Sequence, residues 1–258
     1  MMTLPSPANP AAPDPERDLL HNIGRAIADF DLISAGDRIL VALSGGKDSY
    51  ALLLLLEAMR RRAPVKFELL AVHLDQGQPG HDPTALRAWL AESGFDHRIV
   101  REDTYAIVKG TVPDGRTPCS MCARLRRAIL YRFADEFGCT KIALGHHRDD
   151  AIETLLLNLF FAGKLASMPG RLTSDDGAHV VIRPLIYCAE NDLADFAASH
   201  KVPILPCNLC GSLPNAQRQQ MKSLLARMET LHPHLRQTML AALGNVHLSH
   251  LLVRRGDS

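Results

Sequence analysis

The chain has 258 residues, 47% hydrophobic and 22% charged, with 29 Lys and Arg against 28 Asp and Glu and a formal net charge of +1. This length buries a full core, and the composition is that of a globular chain, not of a low-complexity or collagen-like polymer. With no global charge excess, any nucleic-acid partner has to be held by a local basic patch.

Residues 1–17 are Pro-rich, with neither an apolar signal core nor an Arg-rich amphipathic face, so they are expected to be a disordered tail. No apolar run reaches membrane-spanning length, so no membrane association is expected and the location read from the sequence is cytoplasmic. In a reducing compartment the six cysteines suggest metal or redox chemistry before disulfides.

Leu19 to Phe30 has helical apolar spacing, carried by Leu20, Ile23, Ile27 and Phe30. Arg38 to Leu43 is a continuous apolar run of strand length; it ends at Gly45-Gly46 and is followed by a Leu-rich helix from Tyr50 to Arg60. Further strands are predicted at Phe67–Leu74, His97–Val100, Lys141–Leu144 and His179–Ile182. Helices are predicted within Thr84–Glu92, Arg124–Phe137, Asp150–Phe161 and Asn191–His200. The alternation predicts an α/β fold with a doubly wound parallel sheet and ligands at the carboxyl ends of its strands. This domain is expected to span residues 18–205. A Cys-containing loop and a small helical C-terminal region follow over 206–250, with two helices between Asn215 and Leu243, and 251–258 form a mobile tail.

The stretch Val41-Ala-Leu-Ser-Gly-Gly-Lys-Asp-Ser-Tyr50 has the composition of a phosphate loop. It has neither the G-x-x-x-x-G-K-[ST] nor the G-x-G-x-x-G spacing. Adjacent glycines allow positive φ and close approach of backbone to an anion. The following helix start offers free N–H groups and partial positive charge. Lys47 adds a cation, Ser44 and Ser49 add hydroxyls, and Asp48 suits Mg²⁺. The plainer alternative is a tight turn with Asp48 as a helix cap. Ser-Gly-Gly-Lys-Asp-Ser resembles the PP-loop of the ATP pyrophosphatase superfamily (the adenine nucleotide alpha hydrolase-like fold). The resemblance implies ATP cleavage between the α- and β-phosphates, with Ser44, Gly45, Gly46, Lys47, Asp48 and Ser49 gripping the departing pyrophosphate and Mg²⁺ assisting.

After the strand at Lys141–Leu144 comes Leu-Gly-His-His-Arg-Asp-Asp (residues 144–150). One of Asp149 and Asp150 is expected to cap the next helix. The segment resembles a second motif of the same superfamily, which implies Gly145 and Asp150 as nucleotide or Mg²⁺ contacts and, with Asp48 and Lys47, Asp150 as a catalytic group. His146 and His147 are either site residues or hydrogen-bonded structural histidines.

Cys119-Ser-Met-Cys122 and Cys207-Asn-Leu-Cys210 are two Cys-x-x-Cys units, which suit a Cys₄ zinc site, an iron–sulfur cluster or a redox dithiol. Cys139 and Cys188 stand alone and read as buried packing. The stretches around both pairs, with "GDRILVALSGGKDSY" and "VHLDQGQPG", resemble the tRNA 2-thiocytidine synthetase (TtcA) family from about Asp18 to His250. That resemblance implies a [4Fe–4S] cluster held by Cys119, Cys122 and one cysteine of the second pair, with the fourth iron open for sulfur chemistry. Gly211 beside Cys210 favours Cys210, with Cys207 as the alternative. Leu213 stands where the family has Gln, an apolar side chain in place of a polar one.

Arg124, Arg126, Arg127 and Arg132 follow Cys122 on a predicted helix, with Arg124 and Arg127 sharing a face. A solvated helix face is the plain reading; beside the cysteines they suit ATP phosphates or RNA backbone, and the resemblance places Arg126 near ATP. With only 5% aromatic residues, extensive base stacking is not indicated. The implied activity is ATP-dependent 2-thiolation of cytidine 32 in the tRNA anticodon loop, with a sulfur donor such as a cysteine desulfurase; a homodimer is left open. The rival readings are another PP-loop tRNA enzyme of the lysidine synthetase type, and a non-catalytic zinc-bearing RNA-binding protein.

Overall fold

The computed structural model describes residues 15–111, 119–205 and 217–252, apart from the side chains of Cys119 and Ser120. Six strands form one sheet: β1 (Arg38–Ala42), β2 (Glu68–Asp75), β3 (His97–Arg101), β4 (Lys141–Ala143), β5 (Arg171–Thr173) and β6 (Val180–Ile182). Their order is β3-β2-β1-β4-β6-β5, parallel throughout except for β5, which pairs antiparallel with β6.

The pleat explains why β1 is apolar at nearly every position. Ile39 and Val41 face one core with α1 (Pro15–Phe30), α2 (Lys47–Arg62) and α7 (Glu190–Ser199). Leu40 faces the other, with Leu70, Val72 and Ile142 against Leu130, Phe133 and Ala134 of α5 (Cys119–Glu136). A parallel strand covered on both faces needs apolar residues on both. Helix α2 is buried on most sides; its Tyr50 meets Trp89 of α3 (Thr84–Ser93) edge-on at 5.0 Å, and its hydroxyl donates to Pro203 O at 2.7 Å.

Three described elements lie outside the sequence expectation, one of them a single 3₁₀ turn at Leu248–His250. Helix α4 (Thr104–Thr111) is short, and strand β5 is exposed along its length, so neither carries a periodic apolar signal. The helix expected at Asp150–Phe161 is α6 (Arg148–Leu157) continued by a π-helical turn at Asn158–Ala162. Near the C-terminus α8 (Gln217–Glu229) and α9 (Leu235–Gly244) pack on α6, with Met221 and Leu225 against Ile152 and Leu156. Among the described residues no helix is long and apolar enough to cross a membrane.

From β1 the sheet grows through β2 and β3 in one direction and through β4 and β6 in the other. Adjacent carboxyl ends whose connections diverge leave a crevice, so the strand order places the ligand site past Ala42 and Ala143.

Candidate active site

The glycine turn sits at that crevice. Leu43 N–H donates to Val72 O at 2.9 Å, carrying the sheet pairing one residue past β1. Gly45 then takes φ +85°, and Gly46 returns to an extended conformation as the N-cap of α2. Ser44 Oγ accepts from Gly46 N–H at 3.3 Å and donates to Ser49 Oγ at 3.2 Å, and Ser49 Oγ donates to Gly46 O at 2.8 Å. The two hydroxyls lock the turn. As first-turn donors, the N–H groups of Lys47 and Asp48 have no intrahelical acceptor, which makes the turn an anion cradle. Gly45 O also accepts from Leu205 N–H at 2.9 Å.

The second wall comes from β4. A Cβ at Gly145 would lie 3.2 Å from the backbone of Asp48 and Ser49, so glycine is what allows this strand end to touch the start of α2. His147 is structural: buried, it caps α6 in a capping box, its Nδ1 accepting from Asp150 N–H at 3.4 Å while its own N–H donates to Asp150 Oδ2 at 3.2 Å. With Nδ1 accepting, the neutral ring carries its proton on Nε2, which faces Asp150 Oδ2 at 3.4 Å and Asp48 Oδ2 at 3.9 Å. His146 differs: its Nδ1 is buried without a partner, and burial pushes its pKa down to about 4, leaving it neutral at pH 7.

The paired aspartates separate into two roles. Asp149 is buried; its Oδ2 accepts from Glu190 N–H at 2.8 Å and its Oδ1 from Arg236 at 2.6 Å, tying α7 and α9 to α6. Asp150 turns to the crevice, with Oδ1 3.0 Å from Arg218 of α8.

Between the two walls is a cavity of about 570 Å³. Ser44, Asp48 and Ser49 line one side, Gly145, His146 and Asp150 the other, and Arg126 and Arg127 reach it from α5. Both arginines share this wall, whereas Arg124 is exposed away from it and Arg132 is paired with Glu102. Gly45, Gly46 and Lys47 are not among the walls. Lys47 Nζ is held beside the cavity by Asp48 at 2.9 Å and Glu190 at 3.2 Å. Burial disfavours its charge, but the two carboxylates more than compensate and its pKa is raised. A larger cleft of about 960 Å³ lies between α1 and α9 and contains none of the sequence-predicted site residues.

Sequence reasoning missed several groups here. Arg183 directly follows β6, lines the cavity and donates to Pro169 O at 2.8 Å; the rule that ligands gather at strand carboxyl ends would have found it. Buried Gln76, just past β2, also lines the cavity. Arg218, Lys222, Glu190 and Arg236 gave no local signal, because their partners are far away in the chain.

Glu190 joins Lys47 to Lys222, whose Nζ lies 2.9 Å from Oε2. Burial favours the neutral acid, but the hydrogen bond from Lys222 and the two ammonium charges prevail and hold its pKa at about 2. A carboxyl depressed from about 4.5 stabilises the fold fully above that pH and loses its contribution between about 4.5 and 2. Glu190→Gln is therefore expected to lower the melting temperature at pH 7 and to flatten its acid dependence below pH 4.5, as read by thermal unfolding across pH. Parallel curves for the two proteins would contradict the assignment.

Cys122 is a half-buried free thiol whose Sγ donates to Gln76 Oε1 at 3.5 Å, one side chain from the cavity. Cys119 opens α5 one turn earlier. Cys207, Cys210 and Leu213 lie outside the described residues. The described residues that flank them are at the site: Leu205 is bonded to the glycine turn, and Arg218 to Asp150. Cys188 is fully buried with its pKa pushed up to about 12 by burial, and Cys139 packs half-buried beside β4, as expected for unpaired packing cysteines.

Residues 16–205 match a family described as the PP-loop domain. The chain is 59% identical over 235 residues to a tRNA-cytidine(32) 2-sulfurtransferase of Sorangium cellulosum, covering 91% of this chain and 83% of that one. It is 54% identical over 236 residues to the enzyme of the same name from Yersinia pseudotuberculosis, covering 92% and 75%. Its fold is similar to that of the U34-tRNA thiolase NcsA from Methanococcus maripaludis, solved with its [4Fe-4S] cluster, with a TM-score of 0.70 at 23% identity over 91% of this chain and 79% of that one. A PP-loop at the sheet's switch point and this degree of identity over nine-tenths of the sequence lead to one conclusion: the chain belongs to the PP-loop family and, within it, to the tRNA-cytidine(32) 2-sulfurtransferases.

Proposed function

We propose that this enzyme converts cytidine 32 of tRNA to 2-thiocytidine at the expense of ATP. The observation that carries the reading is that Ser44, Asp48 and Ser49 of the anion cradle line the cavity, and the Cys122 thiol lies one side chain from it, donating to the wall residue Gln76. ATP lies with its phosphates toward the cradle, and Arg126, Arg127 and Arg183 supply counter-charge. The C2 oxygen of the base attacks the α-phosphorus, and pyrophosphate leaves against the first turn of α2. The adenylated carbon then accepts sulfur and AMP departs with the former oxygen. Neutral His146 adds no positive charge to this edge at pH 7, while Lys47 stays protonated.

Among the described residues no three His, Cys, Asp or Glu side chains form a metal-binding group. Mg²⁺ bound with substrate phosphates needs only one or two carboxylates, and Asp48 and Asp150 both line the cavity. A [4Fe–4S] cluster suits thiol donors, and the half-buried Cys122 one turn beyond Cys119 matches that demand. Cys119 and Cys122 would hold it together with Cys210 or Cys207. When bound, the cluster would supply iron for the delivery of sulfur from a donor of the cysteine desulfurase class. Lysidine synthesis makes no use of these thiols, and a zinc-bearing RNA-binding protein makes no use of the cradle.

The test is anaerobic reconstitution with iron and sulfide, then incubation with ATP, sulfide and unmodified tRNA. Digested tRNA should contain 2-thiocytidine, with one AMP and one pyrophosphate per base modified. Colourless protein carrying stoichiometric zinc and forming no 2-thiocytidine would overturn the proposal.

A further inference from the structure

Every Phe, Tyr and Trp of the chain lies among the described residues, and all but two are at least partly buried. The exceptions are adjacent. Phe160 and Phe161 are 54% and 50% exposed on the π-helical turn that extends α6, and Leu159 and Leu165 beside them are 46% and 60% exposed. A chain that buries its other aromatic rings and presents two side by side gives up apolar burial there, and π-turns within helices recur at functional sites.

The backbone beneath the rings is fixed. Gly163 closes the turn at φ +61°, Lys164 N–H donates to Asn158 O at 3.0 Å, and Asn158 Nδ2 donates to Ala166 O at 2.8 Å. Ser167 Oγ donates to Ala151 O at 2.5 Å, which returns the chain along α6, and the next residue, Met168, lines the nucleotide cavity. The exposed rings are thus carried on a rigid platform continuous with the cavity rim, with Lys164 as a neighbouring cation.

We infer that Phe160, Phe161 and Lys164 form a docking platform for single-stranded RNA bases flanking the one that reacts. This inference rests on the tRNA reading above. Phe160 follows Asp150 by ten residue steps along the helix, about 15 Å at about 1.5 Å per residue. That is too far to touch the reacting base, and at about 3.4 Å per stacked base it spans roughly four neighbours in the same loop or stem end. Exposed phenyl faces stack on unpaired bases of any sequence, and the lysine takes a phosphate. A second copy of the chain fits less well: four half-exposed side chains offer roughly 400 Å², about half of what each partner contributes to a stable protein interface.

The test uses cluster-loaded protein, a labelled anticodon stem–loop RNA and fluorescence anisotropy over a salt series. Phe160→Ala and Phe161→Ala should each raise the RNA Kd about tenfold, with an unchanged salt slope and unchanged ATP affinity. Lys164→Ala should instead reduce the magnitude of the log Kd against log salt slope by about 0.7 to 0.9. Phe160→Trp should retain affinity and show tryptophan quenching on RNA addition. Because both rings are exposed, the alanine variants should melt with the parent protein. An unchanged Kd in the double alanine variant overturns the inference, as does a shift from dimer to monomer with Kd unaffected. Thiolation by the parent protein, measured alongside, separates the cases. Parent protein that thiolates tRNA while the variants bind normally defeats only the platform; parent protein that binds RNA through the rings but never thiolates defeats only the activity.

Discussion

Cys122→Ser is expected to abolish 2-thiocytidine formation while leaving ATP affinity within about twofold of the parent, because the substitution removes a soft ligand and little else. The serine hydroxyl is of similar shape and also a donor, so the wall between α5 and the cavity gains neither a cavity of consequence nor a charge, and Gln76 Oε1 still faces a donor. Hydroxyl oxygen is a hard donor that stays protonated near neutrality, so it does not replace thiolate at iron. Iron and sulfide content, visible absorbance and thiolation should fall together, and calorimetric titration with ATP should not change. Cys139→Ser is the internal control: that thiol packs beside β4 with its pKa raised by burial, and its loss should leave colour and activity intact. Normal thiolation by the Cys122 variant would remove Cys122 from the chemistry.

The parts of this enzyme that could be read from the chain are those whose physics is local. A strand covered on both faces announces itself as an apolar run, so β1, β2, β4 and β6 were all recognisable, and with them the crevice past Ala42 and Ala143. The glycine turn was legible because its backbone demands are met by adjacent residues. Strand β5 was not, since an exposed edge strand three residues long needs no apolar pattern. The helix periodicity that grouped Arg124 with Arg127 missed that the cavity is wide enough to be reached from adjacent positions, Arg126 and Arg127. Least legible was the charge lattice on α6. Arg236 reads as one polar residue on a C-terminal helix until Asp149 is found 2.6 Å away, and buried Glu153 reads as a first-turn acid until Arg218 is found at 3.0 Å. Long-range ion pairs leave no trace in spacing, yet these fasten α8 and α9 to the nucleotide edge. Composition bears on the total and not on placement: a low aromatic content argues against extensive base stacking, and the platform inferred above asks for only two exposed rings.

Gly45→Ala should be nearly as damaging as loss of the thiol, by a different route. At φ +85° an L-residue costs about 1–2 kcal/mol, and the new methyl would lie 2.8 Å from Leu205 Cδ1 and 2.9 Å from Leu205 Cβ and Cγ. Two responses are available, and each harms a different part of the site. If the turn yields, the first-turn N–H groups of α2 swing off the departing phosphates; a misplacement of about 1 Å in a catalytic array costs on the order of 10²-fold in rate. If Leu205 yields, the chain that leads to Cys207 loses its N–H bond to Gly45 O. We expect a stability loss of about 2 kcal/mol in denaturant unfolding and a fall in ATP-dependent thiolation of about 10²-fold or more. Leu205→Ala removes Cγ and Cδ1, two of the three crowded atoms, and keeps the backbone bond. Placed in the Gly45→Ala background it should restore part of the activity but none of the cost of positive φ, so the two substitutions should be non-additive. Strict additivity would mean that the phosphate turn and the chain entering the second cysteine pair move independently. Wild-type thiolation by Gly45→Ala alone would mean that this turn does not grip the phosphates at all. The expected coupling makes the cradle and the chain at Leu205 one mechanical unit, held together by the Leu205 N–H bond to Gly45 O and by the close approach of the Leu205 side chain to the turn.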